Sequence, residues 1–264
     1  MPIVSVIMGI YNCAVTLQEA LDSLYAQTYQ DFEIILCDDG SKDNTYALAL
    51  ENKKNHSNVV LLKNEQNMGL NQTLNKCLAV AQGKYIARMD GDDTCSPDRF
   101  EKELAVLVSE PDISIVSCSM QYFDETGVWG IATHKEYPAC ADFIEKTQFC
   151  HAPCLVRVEA YKAVGGYSVS DRFLRVEDYH LWYKMYKAGF RGKNIQIPLY
   201  QMRDDRNAYS RRKFKFRINE AYVKYLIFRD FDLPLSKFLK ILRPIMVGLL
   251  PRFIYYFVHK KNLR

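Results

Sequence analysis

Phosphate-binding glycine loops are missing from this sequence of 264 residues. Its 12 glycines form neither a Gly-x-x-x-x-Gly-Lys-Ser/Thr loop nor a Gly-x-Gly-x-x-Gly turn. Any phosphate is then more readily neutralised by a metal than by a cradle of backbone amides. A secretory leader is also not expected, because Pro2–Met8 has no basic segment and reads directly as a buried strand. The eight cysteines show no paired spacing, so they are expected reduced, in the cytosol, as small apolar side chains. Cys150, His151 and Cys154 are close in sequence, but no second Cys/His pair follows at zinc-site spacing. In the apolar C-terminal segment the longest uncharged stretch is Pro244–Pro251. That falls far short of the roughly 20 residues that span a bilayer.

The net charge of +4 conceals an uneven distribution. Residues 1–210 hold 28 acidic and 21 basic side chains, a net of −7, and residues 211–264 hold 3 and 14, a net of +11. The chain reads as an acidic body, 1–210, followed by a basic segment, 211–264, suited to an anionic partner. The hydrophobic fraction of 48% excludes a disordered chain.

The first 120 residues alternate strand and helix. Strands are predicted at Val4–Ile10, Glu33–Cys37, Val59–Leu62, Tyr85–Met89 and Ile113–Cys118. Helices are predicted at Thr16–Gln27, from an Asn44 cap to Lys54, at Asn71–Ala81, and from Pro97 to Val108. This pattern implies an α/β fold, a mostly parallel sheet with helices on both faces, whose ligands bind beyond the carboxyl ends of the strands. Gln121–Ala132 suggests an antiparallel excursion. Ala141–Thr147 and Glu177–Ala188 suggest helices, and Ile195–Tyr200 a strand. Residues 211–231 read as a basic helix. The apolar blocks after it, interrupted by Lys240, Arg243 and Arg252, suit either a soluble bundle or an amphipathic helix lying in lipid headgroups. Those blocks favour lipid over nucleic acid as the partner.

Carboxylates cluster where strands end. Asp90-Gly91-Asp92-Asp93 places three of them in four residues. Their repulsion is relieved by Mg²⁺ or Mn²⁺, completed by substrate phosphates. The plainer alternative is an acidic turn with Asp93 or Ser96 capping the next helix. Asp39, in Asp38-Asp39-Gly40-Ser41, is placed to accept from a base or ribose, or else belongs to a loop and cap. Asn67-Met68-Gly69 precedes a helix, where glycine permits close approach. Glu177-Asp178 opens a helix. One carboxylate there is a candidate general base, and the alternative is a partner for the helix dipole.

Taken in order, these motifs, with Tyr11-Asn12, Asn75, Pro97-Asp98-Arg99-Phe100 and Gly165-Gly166-Tyr167, resemble family 2 glycosyltransferases of the GT-A fold, in the bacterial envelope-polysaccharide branch. The resemblance covers about residues 3–205. It implies a nucleotide-sugar donor, UDP-linked by family expectation, a divalent cation and an inverting transfer to a saccharide or lipid-linked acceptor. Carried over residue by residue, it makes Asp92 the metal ligand with Asp90, and places Tyr11, Asp39, Asn67 and Asp90 around the donor. Asp178 becomes the base, with Glu177 and Asp93 in support. His151 falls on the acceptor side, where a packed structural histidine is an equal alternative. The family's common Pro-Thr pair is replaced by Gly9-Ile10, and the Gln-x-x-Arg-Trp pattern of processive synthases is absent, which favours single additions. The expected location is the cytoplasmic face of the cell membrane, held peripherally through 211–264. A sugar-phosphate nucleotidyltransferase would want a glycine-rich, basic first loop. A non-catalytic nucleotide-sugar-binding scaffold would have kept the nucleotide site alone.

Overall fold

The structure, a computed structural model, describes residues 1–204 and 213–249. The strands are β1 (Val4–Ile10), β2 (Phe32–Asp38), β3 (Val59–Lys63), β4 (Tyr85–Arg88), β5 (Thr94–Cys95), β6 (Ile113–Asp124), β7 (Gly127–Ala132), β8 (Leu155–Arg157) and β9 (Arg191–Arg203). The α-helices are α1 (Leu17–Tyr25), α2 (Thr45–Asn55), α3 (Leu70–Val80), α4 (Arg99–Ser109), α5 (Val158–Val164), α6 (Glu177–Lys187), α7 (Phe214–Asp230) and α8 (Leu239–Leu249).

One sheet runs in the order β3-β2-β1-β4-β8-β6-β9-β5, and β7 hairpins onto β6. The four strands β3, β2, β1 and β4 are parallel. β8 enters antiparallel between β4 and β6, while β6 and β9 pair parallel. Burial on both faces explains why β1 is almost wholly apolar. Val4, Val6, Met8 and Ile10 enter the core on one face, and Ile7 enters the core on the other. Leu17, Ala20, Leu21 and Leu24 of α1 share the first core. Phe149, Trp182, Tyr186 and the buried residues of α3 and α6 build the second.

Several elements differ from expectation. The predicted helix at 141–147 is a 3₁₀ turn, Cys140–Ile144. Asn44 stands at the start of α2 but makes no side-chain cap; Asp43 accepts from the Thr45 backbone and hydroxyl instead. β8, α5 and the two-residue β5 have no clear periodic signature, since so short a run fits a strand or a helix turn equally.

α7 belongs to the second core. Val223, Leu226 and Ile227 are buried in it, and the buried Lys224 Nζ donates to the carbonyls of Ile144 and Glu145 at 2.7 and 2.8 Å. The remainder of the basic segment, 250–264, and the link 205–212 lie outside the described residues.

Candidate active site

The carboxyl ends of β1, β2 and β4 are bound together by their own loops. Asn12, at φ +48, donates its amide to Ser41 Oγ, and its Oδ1 accepts from the Lys42 amide. Cys13 N donates to Thr45 Oγ1 and Ala14 N to Asp43. Thr16 Oγ1 donates to the Gly91 carbonyl at 2.9 Å. The Gly9 departure from the family pattern leaves β1 in register, with Gly9 opposite Cys37. Tyr11, Cys13, Asp90, Asp92 and Arg203 line the resulting cleft of about 370 Å³.

Two of the three carboxylates of the Asp90–Asp93 turn have protein partners of their own. Asp90 pairs with Arg88 Nη2 at 2.5 Å. Asp93 is buried. It accepts from the Tyr200 hydroxyl and the Arg203 amide, both at 2.9 Å, and Tyr200 Oη in turn accepts from Asp90 N. Asp93 therefore supports the turn, and protein donors relieve part of the repulsion that the sequence assigns to a cation. Burial, then the Asp90 and Asp92 charges, push the Asp93 carboxyl up. Asp92 is the most exposed of the three and lines the cleft with Asp90. The surrounding walls, then Asp90, raise its carboxyl, while Arg88 and Arg203 draw it back. Arg203 also bonds to the Asp92 carbonyl and to Glu19.

Arg88 is the residue that sequence reasoning missed. Its side chain is 5% exposed, and its Nε is buried without a partner. Its positive field reaches Asp178 and His151 as well as Asp90. Asp178 stands in the first turn of α6. Burial, then the neighbouring Glu177 charge, push it up to about 6, against the pull of the Tyr179 amide and Arg88. Such a value suits a base that works near neutral pH. Only this fold brings β4 and α6 together, 90 residues apart in the chain.

His151 Nε2 lies 2.8 Å from Tyr167 Oη, with Trp182 edge-on at 6.0 Å. Burial and Arg88 hold the imidazole neutral. Tyr167 is fixed in turn by Asn75, whose side chain donates to its carbonyl and accepts from its amide, each at 2.8 Å. The Asn75 and Gly-Gly-Tyr motifs are thus two halves of one clasp.

Asp39 is 4% exposed. It accepts from the amides of Met68 and Gly69 and from Asn64 Nδ2, at 2.8–2.9 Å. It positions the loop that carries the exposed Asn67. Tyr11 stands 46% exposed on the first loop.

Among the described residues no three His, Cys, Asp or Glu side chains gather to hold an ion. Asp90 and Asp92 on one cleft wall fit a hard cation that takes its other ligands from water and substrate phosphate. They do not fit a closed structural site.

The family model for glycosyl transferase family 2 matches residues 5–165. The chain is 40% identical to the EpsE protein of Bacillus subtilis (strain 168), over 99% of this chain and 95% of that one. It is 30% identical to the Escherichia coli UDP-Gal:alpha-D-GlcNAc-diphosphoundecaprenol beta-1,3-galactosyltransferase, covering all of this chain and 97% of that one. The crystal structure of Staphylococcus aureus TarS 1–349 in complex with UDP superposes with a TM-score of 0.70 at 19% identity, over 93% of this chain and 71% of that one, and shares the GT-A fold. From the motif series, the cleft at the strand ends and these matches, the chain belongs to glycosyl transferase family 2.

Proposed function

We propose that this chain transfers a single hexosyl or N-acetylhexosaminyl group from a UDP-linked donor to a lipid-linked saccharide, with inversion, in bacterial envelope-polysaccharide synthesis. The observation that carries the proposal is a half-buried carboxylate, Asp178, in the first turn of α6, raised to about 6 by burial and within the field of the same buried Arg88 that pairs with Asp90. A base and a diphosphate-binding turn thereby share one electrostatic environment. The galactosyltransferase relative supports the donor and acceptor classes through its own name, as the UDP complex supports the nucleotide.

Asp178 accepts the proton of the acceptor hydroxyl. That oxygen forms the new bond to the anomeric carbon, while the bond to the donor diphosphate breaks on the opposite face. Asp92 and Asp90 would hold Mn²⁺ or Mg²⁺, which neutralises charge on the departing diphosphate. Tyr11 and the Asn67 loop, seated by Asp39, flank the nucleoside. Arg203 stands at the cleft mouth, where exchange of Glu19 for phosphate oxygens is open to it. His151 and Glu177 border the acceptor side. The basic C-terminal segment holds the enzyme peripherally on the inner membrane face.

A panel of nucleotide sugars tests this, read by melting temperature and by nucleoside diphosphate release, with Mn²⁺ or with chelator. One UDP-sugar should raise the melting temperature only with metal, and Asp92→Ala should abolish that shift. No response to any donor would favour the scaffold alternative.

A further inference from the structure

We propose that the cleft between residues 133–148 and α8 binds the phosphate of an anionic phospholipid headgroup while the outer face of α8 lies among the acyl chains. The inference deepens the membrane-surface reading above and rests on it. The cleft has a volume of about 490 Å³. Its acids are already engaged: Asp142 pairs with Lys135, and Glu145 with Lys237 and Lys240. Lys146 and Arg243 also line it. Both are exposed, and neither has a carboxylate partner among the described residues. His134 lines the same cleft and leaves a buried Nδ1 without a hydrogen-bond partner. Burial and the Lys146 charge hold that imidazole neutral, so its ring can donate one N–H. Two unpaired cations around an unsatisfied ring nitrogen make a site for an anionic oxygen group.

α8 indicates which anion. It presents three faces at helical spacing. Ile241 and Pro244 are buried, and Gly248 packs so closely on α7 that a Cβ there would meet Phe214 and Arg217 at about 3.0 Å. Lys240 and Arg243, three residues apart, form the cationic face beside the cleft. Leu239, Leu242, Met246 and Leu249 form the third, at 68, 39, 54 and 71% exposure. A free sugar phosphate or nucleotide would leave those four apolar side chains in water. A phospholipid matches both the cations and the apolar stripe, which is the arrangement of an interfacial helix. No described helix is long and apolar enough to cross a membrane, so the stripe would lie along the surface.

The test uses the full chain and sedimentation with phosphatidylcholine vesicles, with and without phosphatidylglycerol. Wild type should bind the anionic vesicles preferentially. Lys146→Gln with Arg243→Gln should weaken that binding about tenfold or more, and Leu242→Asp with Met246→Asp should weaken it on both vesicle types. Lys53→Gln with Lys54→Gln on α2 removes the same charge elsewhere and should leave binding within about twofold. A preserved thermal shift with the donor confirms that each variant is folded. If wild type binds anionic vesicles and the Lys146/Arg243 variant binds equally well, the cleft assignment fails and the membrane reading stands. If wild type ignores anionic vesicles, both fail. Sedimentation velocity supplies the remaining outcome: a dimer that Met246→Asp dissociates would make a second copy the occupant of the stripe and overturn the proposal.

Discussion

Asp178 carries opposite consequences for activity and for stability. Its folded value of about 6 lies above the ordinary 3.8, so the folded protein holds that proton more tightly than the unfolded chain. The stabilisation is complete below about 3.8 and is lost as pH rises through about 6. At pH 7 the ionised carboxylate therefore costs stability. Asp178→Asn is expected to gain about 1–2 kcal/mol at pH 7, shrinking to nothing near pH 4, in paired thermal melts. The same variant should lose about 10²- to 10⁴-fold in turnover, and wild-type kcat/KM should climb with pH through about 6. Equal melts at both pH values would contradict the buried-carboxylate reading. Asp90, Asp92 and Asp178 were legible as residues because each closes or opens an element inside a spaced motif. Arg88 and Tyr200 were not, because their roles depend on partners that only folding supplies. Tyr200 reaches Asp93 across 107 residues.

Among the elements, the clasp between α3 and the loop after α5 links two motifs that looked independent. Gly166 sits at φ +65, and a Cβ there would come within 2.6 Å of Asn75 Oδ1, the atom that accepts from Tyr167 N. Gly166→Ala is expected to cost about 1–3 kcal/mol through backbone strain and a displaced hydrogen bond. Because Tyr167 holds His151, the variant should also raise KM for the acceptor more than for the donor. Steady-state kinetics with each substrate varied, alongside urea unfolding, would separate the two effects. An unchanged midpoint would show that the clasp carries little weight. The parallel strands β1–β4 and their helices followed from periodicity, because a βαβ unit writes its burial into consecutive residues. β8 did not, since a three-residue strand is chosen by the gap between β4 and β6 that it fills.

For the whole molecule, the charge asymmetry has an internal role alongside the proposed external one. Lys215 pairs with Asp171, and Lys237 and Lys240 pair with Glu145, so basic residues after 211 dock on acids of the body. The apolar side of that docking is larger. Val223, Leu226 and Ile227 cover the core that contains Trp182. Each contributes about 1.5–3 kcal/mol, a sum comparable with the total stability of a domain. A chain ending at Asp204 is expected to lose cooperative unfolding and to aggregate, as calorimetry and size exclusion would show; a soluble, cooperative product would mean that α7 is dispensable.

Length, alternation and the order of the motifs determined the fold class, the family and the candidate base and metal carboxylates, because burial period and strand-end chemistry are local properties of a sequence. Tertiary structure alone decided which carboxylates remain available. It tied Asp93 to Tyr200 and the Arg203 amide, seated the Met68–Gly69 loop on Asp39, left Asp92 exposed in the cleft, and brought the field of one buried cation, Arg88, onto both Asp90 and Asp178. The physical reason is that a buried charge takes its partners from whatever the fold brings near it, and those partners come from distant strands and helices. In place of a glycine cradle, side chains and loop amides gathered from three strand ends shape the cleft.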